Sequence, residues 1–530
     1  MRKFVVVAAV GAAAFSLSMS KTSSAQNQVD QQLGNVSFEI ACNETAQRRF
    51  NRAMRYQHSF WYSAAKEIFE DVAKADPSCG MAYWGVALSL LNNPHAAIPA
   101  PNLAPGLAAI QKAKSVGLKT ERERDFVDAL ALMYVDYDKL THAQRIRSFL
   151  GAMEKLAAKY PNDDEAQIAY AITLNTSASP TDKTYAQQSK GAAILEPISR
   201  RLPQHPGVTH YLIHLYDYPA TAQKGLDAAN RYAKIAPAAP HAQHMPSHIY
   251  TRVGYWKESV ASNIASVKAA QMDKSAGDQL HGQDYLVYAY LQLARDKEAF
   301  AVVNEMLKVT GYHPSLRAAT FAVTASPARY MMERGDWKGA SELQVRPTGT
   351  PFVDAITHFA RAVGAARSGN ADAAKAEIDK LVELREKTRE TKDAYWTEQV
   401  DIQWQVANAW MLYAQGKYDE ALRIMSAAAD AEDKTEKSPV TPGPLAPARE
   451  LYGEMLLERG MAKEALAAFE ATNAKEPNRF RGFLGAAKAA EKAGDKATAK
   501  ANYQKLMALV GEGKSGRQEV VTATSYLKQH

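Results

Sequence analysis

The stretch GMAKEALAAF, residues 460–469, recurs in similar form as GDKATAKANY, residues 494–503. Each copy has a glycine, an alanine five residues after it, and an aromatic residue nine residues after it. Glycine suits the turn between two helices, and a small residue lets the two helices approach closely. The spacing of the copies, about 34 residues, is the length of a repeat made of one helix–turn–helix pair. The two copies therefore predict consecutive pairs of packed helices.

The same turn, a glycine with a small residue five positions later, occurs at earlier places in the chain. Four examples are residues 254–259, 335–340, 369–374 and 416–421. This pattern resembles that of tetratricopeptide repeat proteins over most of residues 45–508. The resemblance implies an all-α fold, an α-solenoid of about eight to eleven stacked helical pairs. It also implies a concave groove lined by the first helix of each pair.

Histidines are concentrated in one part of this repeat array. Seven of the 13 histidines fall between residues 205 and 284. His210 and His214 are four residues apart, so they share one face of a helix. His244 and His248 repeat this pair one period later. The sequences of these histidine-containing segments resemble those of an exported bacterial branch of tetratricopeptide repeat proteins. We infer no particular activity from this resemblance.

The two pairs occupy equivalent places in adjacent repeats. His210 and His244 each lie 15 residues before the small residue that follows the turn, and Asp284 has this place in the next repeat. A second place, three positions before the first, is taken by His241 and His281. Because first helices of neighbouring repeats lie side by side, their imidazoles are expected to meet.

Imidazoles and carboxylates in this arrangement predict a divalent transition metal as cofactor, with zinc, iron, manganese and copper all fitting. The number of ligands suffices for one ion or for two. The spacing is not the His-Glu-x-x-His pattern of zinc proteases. The predicted metal ligands are His210, His214, Asp217, His241, His244, His248, His281 and Asp284.

Two other interpretations stay open. The histidines could hydrogen-bond one another and Asp in a polar pocket, and such a pocket could move protons in acid–base catalysis of a small-molecule substrate. Tyr288 and Arg329 share the place of His248 in later repeats, which predicts substrate-binding roles for both. Alternatively the chain is a non-enzymatic scaffold that binds a peptide or protein partner in its groove. The sequence names no catalytic residue.

Composition narrows the class of partner. The chain has 23% charged and 46% hydrophobic residues, as expected of an ordinary globular protein. Without Arg2, Lys3 and Lys21 of the leader, the formal net charge falls from +7 to +4. This small excess is scattered along the chain, so a nucleic-acid partner is not predicted.

The first residues predict export. Arg2 and Lys3 precede an apolar stretch and a small-residue cleavage pattern that ends at Ala25, as in a signal peptide. No later apolar stretch is long enough to span a membrane. We therefore expect a periplasmic or secreted protein. In such a compartment Cys42 and Cys79 could form a disulfide between the starts of two first helices, or remain buried thiols.

Composition shifts and repeat boundaries predict eight consecutive parts. They are a signal peptide (1–25), a flexible lead-in (26–41), N-terminal helical repeats (42–203), central histidine-rich repeats (204–300), further helical repeats (301–431), a surface insertion (432–447), C-terminal repeats (448–510) and a C-terminal tail (511–530).

Overall fold

The computed structural model describes residues 32–179, 182–312, 316–511 and 515–530. The predicted signal peptide and the start of the lead-in lie outside these residues. Every regular element in the described ranges is helical, and none of their residues is in a β-strand. The predicted all-α class is thereby confirmed.

The chain divides into two compact units. The first contains the described residues up to 178 together with 185–215 and 230–243. The second contains the described parts of 179–184, 216–229 and 244–530. Each unit consists of consecutive packed helices, as the predicted α-solenoid class requires.

The helices up to the start of the histidine region are numbered in chain order. They are α1 (Glu44–His58), α2 (Tyr62–Ala75), α3 (Gly80–Leu90), α4 (Ala100–Val116), α5 (Glu121–Ala131), α6 (His142–Lys159), α7 (Asp164–Ser177), α8 (Ala186–Arg201), α9 (Pro206–Tyr216), α10 (Leu226–Ile235) and α11 (Pro240–His244). A short 3₁₀ helix, Ala222–Gly225, precedes α10.

The remaining helices follow in the same manner. They are α12 (Pro246–Val253), α13 (Trp256–Met272), α14 (Ala276–Gln292), α15 (Asp296–Met306), α16 (Arg317–Glu333), α17 (Trp337–Ser341), α18 (Pro351–Arg367), α19 (Ala371–Glu390), α20 (Ala394–Ala414), α21 (Tyr418–Asp433), α22 (Ala448–Glu458), α23 (Ala462–Lys475), α24 (Phe480–Lys492), α25 (Lys496–Val510) and α26 (Gln518–Gln529).

The glycine turns have the conformation that the repeat pattern predicts. Gly460 lies between α22 and α23 with a φ of 78°, and Gly494 lies between α24 and α25 with a φ of 81°. Glycine adopts this left-handed conformation without a steric penalty, whereas a residue with a side chain is destabilised in it. Ala465 and Ala499, the small residues after these turns, are fully buried in their helical pairs. The local pattern that predicted the repeats therefore acts as expected.

Proline restarts a helix in the histidine region. Pro246 lies at the first turn of α12, shortly after α11 has ended at His244. Proline has no N–H group to donate within a helix, so it is accommodated best in the first turn, where that N–H would have no partner in the helix. The break divides what would be one helix into two short ones, and one histidine of the second pair lies on each.

The lead-in is packed over its described part, which differs from the flexible segment predicted. Phe38 is 1% exposed, and its ring lies 5.1–5.3 Å from the rings of Phe50, Trp84 and Phe126. Burial of one such aromatic side chain contributes about 2–3 kcal/mol, which offsets the entropy of ordering a short segment. The prediction relied on the polarity of the neighbouring residues and overlooked this anchor.

Cys42 and Cys79 form a disulfide in which their Cα atoms lie 5.4 Å apart. Cys42 precedes α1 and Cys79 precedes α3, so the bond joins the starts of two helices as the sequence suggested. A cross-link restricts the unfolded chain and so raises the free energy of unfolding.

We expect a Cys42→Ser/Cys79→Ser variant to lose about 4 kcal/mol of unfolding free energy, because the two cysteines are 37 residues apart in sequence. Urea unfolding followed by circular dichroism measures the loss. Wild type under reducing conditions should match the variant. Equal urea midpoints for oxidised wild type and the variant would contradict the prediction.

Two predicted boundaries change in the structure. The segment 432–447, predicted as a surface insertion, contains buried residues such as Thr441, Gly443 and Leu445, so the surface assignment is wrong. Its richness in Pro, Thr and Lys suggested exposure, but its carbonyl groups are bound by side chains of the second unit. The predicted tail 511–530 contains helix α26, which packs Tyr526 against Tyr503.

Within the described ranges, no helix combines the length and the apolar character needed to cross a bilayer.

Candidate metal centres

The six predicted histidine ligands are brought together as two groups of three. The first trio lies in the first unit and consists of His210, His214 and His241. The second trio lies in the second unit and consists of His244, His248 and His281. In each trio, one nitrogen atom from every ring lies within 4.8 Å of the other two. Each trio therefore joins the histidine pair of one repeat to the histidine at the second place of the next repeat.

In the first trio the Nε2 atoms converge. Nε2 of His210 lies 3.1 Å from Nε2 of His214 and 3.1 Å from Nε2 of His241. The other nitrogen of His210, Nδ1, donates a hydrogen bond of 2.7 Å to the backbone carbonyl of His58. A carbonyl only accepts, so Nδ1 of His210 carries the proton and its Nε2 presents a lone pair.

The second trio shows the same assignment for two rings. Nδ1 of His244 donates to Oδ1 of Asn263 at 2.7 Å, and Nδ1 of His248 donates to Asp217 at 2.9 Å. The amide nitrogen of Asn263 donates to the carbonyl of Ser259, which leaves Oδ1 as the acceptor. The Nε2 atoms of His244 and His248 thus face each other with their lone pairs at 3.0 Å.

Burial favours the neutral form of two imidazoles in the second trio. Burial lowers the pKa of His248, since an imidazolium would lose its hydration, and Asp217 only partly opposes this effect. Burial also lowers the pKa of His281 to about 3. For Asp217 burial favours the protonated form, but Lys437 and Arg252 outweigh burial and hold its pKa well below the usual range. Neutral imidazoles beside an ionised carboxylate are the protonation states that a metal site needs.

Neither predicted carboxylate faces the converging nitrogens. Asp217 contacts the far side of His248 and also accepts from Nε of Arg252 at 2.8 Å. Asp217 therefore has the position of a carboxylate that orients a metal-ligating histidine. Asp284 is fully buried, and its Oδ1 accepts from Ser326 at 3.1 Å. Burial raises the pKa of Asp284 to about 6, with Arg329 opposing the shift.

Arg329 and Tyr288 were predicted to bind substrate. In the structure both side chains form hydrogen bonds with other residues of the chain. Arg329 is fully buried and donates to the carbonyl oxygens of Pro444 at 2.6 Å and Gly443 at 3.2 Å. Tyr288 accepts a hydrogen bond of 2.6 Å from Arg479. Both side chains therefore hold the second unit together in this conformation. The sequence could not predict this, because their partners are more than 100 residues away.

A third group, His58, Glu165 and His205, was not predicted at all. Nδ1 of His205 accepts from the N–H of Val208, so its Nε2 carries the proton and donates to Glu165 at 3.0 Å. Nε2 of His58 lies 3.2 Å from the other oxygen of Glu165. Donors and acceptors alternate, so hydrogen bonding alone accounts for this group. No local spacing could reveal it, since Glu165 lies 107 residues after His58.

Aromatic rings enclose both trios and were also missed by the sequence analysis. The ring of Phe60 lies 4.3, 5.0 and 5.7 Å from those of His210, His241 and His214. His95, from the loop between α3 and α4, packs 4.3 Å from His214. Phe60 has a φ of 58°, a strained conformation for a residue with a side chain. Strain of this kind often accompanies a functional constraint.

Comparison with known proteins adds little beyond the fold. No family profile matches the chain, and no curated protein matches its sequence. Similar solved structures include the IFIT1 monomeric mutant with Gppp-AAAA, at 12% identity over 92% of this chain and 100% of that chain, with a TM-score of 0.38. Yeast Tom70 matches at 12% identity over 92% and 96%, with a TM-score of 0.26. The TPR domain of P58(IPK) matches at 13% identity over 69% and 99%, with a TM-score of 0.22.

Identities and TM-scores this low carry no argument about function. The class of the protein follows from its own elements, which are paired helices, left-handed glycine turns and buried small residues after the turns. Two consecutive pairs of turns, Gly335 with Gly369 and Gly460 with Gly494, are spaced by about 34 residues, the length of a tetratricopeptide repeat. On these grounds the chain is an all-α protein built of helix–turn–helix repeats, and its repeat resembles that of tetratricopeptide repeat proteins.

Proposed function

We propose that this protein binds divalent transition metal ions, one at each histidine trio. The observation that carries the proposal is the convergence of Nε2 lone pairs on rings whose Nδ1 atoms donate to protein acceptors. The two lone pairs of His244 and His248, 3.0 Å apart, repel each other unless a cation or an additional proton lies between them. Burial disfavours the additional proton at His248, so a metal ion is the better partner.

The spacing of the nitrogens supports the same proposal. Nitrogen ligands about 2.0–2.1 Å from a tetrahedral zinc ion lie about 3.3 Å apart. Three of the observed separations, 3.0–3.1 Å, are close to this value, and the other pairs of ligand nitrogens within each trio lie within 4.8 Å. Imidazole ligands suit zinc, copper, nickel and iron. The Asp217 carboxylate, which accepts the hydrogen bond from His248, raises the basicity of that imidazole as a ligand.

Export remains part of the proposal. The leader in residues 1–25 supports a periplasmic or secreted location, and the disulfide between Cys42 and Cys79 fits an oxidising compartment. In such a location the protein would acquire its metal outside the cytoplasm. We propose metal storage, delivery or metal-dependent chemistry on a small molecule as the class of activity.

Metal content is the decisive measurement. Protein purified without a metal-affinity tag, then stripped and titrated with Zn²⁺, should bind two ions per chain by elemental analysis and calorimetry. The imidazoles of His248 and His281 should release few protons on binding, because burial lowers the pKa of both. A chain that binds no ion at micromolar concentration would reject the proposal and favour the alternative, a scaffold that binds a peptide or protein partner in its groove.

A further inference from the structure

Tyr285, on α14, is in contact with all three imidazoles of the second trio. Its ring lies 4.7, 5.1 and 5.4 Å from those of His244, His248 and His281. The side chain is fully buried. The phenol oxygen lies 3.4 Å from both ring nitrogens of His248. Asn263 and Asp217 bond to the Nδ1 atoms of His244 and His248, whereas the phenol oxygen of Tyr285 also lies close to Nε2 of His248, the atom that faces the trio.

The hydrogen bonds of this phenol are long. Its O–H donates to the carbonyl of Thr441 at 3.3 Å, and its contacts with His248 are longer still. Hydroxyl groups usually bond at about 2.7–2.8 Å, so these contacts satisfy a buried phenol poorly. A buried polar atom held so loosely beside three converging imidazoles points to a ligand that the phenol itself would help to bind.

The first trio provides an internal comparison. Its three imidazoles also surround one aromatic ring, but that ring is Phe60, which has no oxygen. Centroid distances of 4.3–5.7 Å around Phe60 match the 4.7–5.4 Å around Tyr285. Each trio thus has one aromatic ring that contacts all three imidazoles, and of these two rings only Tyr285 carries a hydroxyl group.

We propose that Tyr285 is a further metal ligand, so that the second trio forms a site of three imidazoles and one phenolate while the first trio binds through imidazoles alone. This inference rests on the proposed function. On coordination the O–H bond of Tyr285 breaks, an oxygen–metal bond forms, and the proton passes to solvent. No electron is transferred in this step.

The chemical class of ion follows from this difference. A hard anionic oxygen added to nitrogen ligands favours ions of higher Lewis acidity, such as Cu²⁺ or Fe³⁺, over soft ions such as Cu⁺. The phenolate also removes one unit of positive charge from the buried site, which lowers the cost of desolvating the ion. The second trio should therefore bind Cu²⁺ more tightly than the first.

Copper titration of the full chain tests the inference, since Cu²⁺-phenolate pairs absorb visible light by charge transfer and Cu²⁺-imidazole pairs alone do not absorb in the same way. A His210→Ala/His214→Ala variant isolates the second trio and should keep the band. Adding Tyr285→Phe to that variant should abolish the band, retain one copper ion, and lower copper affinity by about ten- to a hundredfold.

Tyr232→Phe is the matched control, because Tyr232 stacks at 4.9 Å on His210 of the first trio and should leave the band unchanged. If Tyr285→Phe fails to fold, resonance Raman spectra of copper-loaded wild type replace it, and tyrosinate ring modes are expected. Two bound copper ions without the band, or a band that survives Tyr285→Phe, would overturn the role of Tyr285 but leave the proposed function intact. Absence of copper binding would reject both.

Discussion

A chain carrying His244→Ala and His248→Ala should bind one Zn²⁺ ion where wild type binds two. The two substitutions remove both Nε2 atoms that face each other at 3.0 Å, which leaves His281 as the only imidazole of the second trio. One imidazole cannot hold a transition metal ion against water, so the second site should lose at least a thousandfold in affinity. Calorimetry with elemental analysis measures both the number of ions and their affinities.

The first trio supplies the reciprocal experiment. His210→Ala/His214→Ala should also leave one ion per chain, and the combined fourfold variant should leave none. His358→Gln is the control histidine, since His358 bonds to Glu377 and belongs to neither trio. Thermal unfolding by circular dichroism should show that each variant is folded. Retention of two ions in both double variants would refute the assignment of the sites.

Arg479→Met should destabilise the second unit by about 3–5 kcal/mol, the largest stability effect that we expect. Arg479 is fully buried and donates to Glu450 at 2.9 and 3.0 Å and to Glu333 at 2.7 Å. Removing the cation leaves two buried carboxylates without their main partner. Urea unfolding at pH 7 measures the loss of unfolding free energy.

The destabilisation caused by Arg479→Met should depend on pH. Burial already raises the pKa of Glu450, and loss of the Arg479 charge, which lowers it, should raise it further. A carboxyl with a raised folded-state pKa destabilises the fold above that pKa and regains stability when it is protonated. The deficit of the variant should therefore be smaller at pH 5 than at pH 7.

An exposed ion pair provides the matched control for Arg479. Arg201 bonds to Asp164 at 2.6 and 2.7 Å, but its side chain is 59% exposed. Arg201→Met should cost less than about 1 kcal/mol, because solvent already screens the pair. Equal losses for the two substitutions would contradict the view that burial determines the importance of Arg479.

The repeats could be predicted because their signals are local. A glycine turn such as that at Gly460, and the small residue five positions later, act within one helical pair. The i, i+4 pairing of His210 with His214 follows from helix geometry alone. The place of His241 in the next repeat also predicted a meeting of rings, but the sequence did not show that the six histidines form two groups of three.

The sequence was less informative about groups whose partners are distant along the chain. Arg329 was predicted to bind substrate, and in the structure it binds carbonyls about 115 residues away. Segment 432–447 has a polar, proline-rich composition typical of a surface loop, yet side chains of the second unit bury it. The composition of a segment indicates whether it favours the surface when taken alone. It does not indicate which side chains will surround the segment in the folded protein.

The sequence by itself determined the helical pairs, their period and the face on which the histidines lie, because turn conformation and helix periodicity depend on neighbouring residues. Only the tertiary structure decided which histidines form a trio, that Asp217 orients His248 from behind, and that Tyr285 and Phe60 each face three imidazoles. Those contacts join residues up to about 180 positions apart, and packing of whole helices sets them.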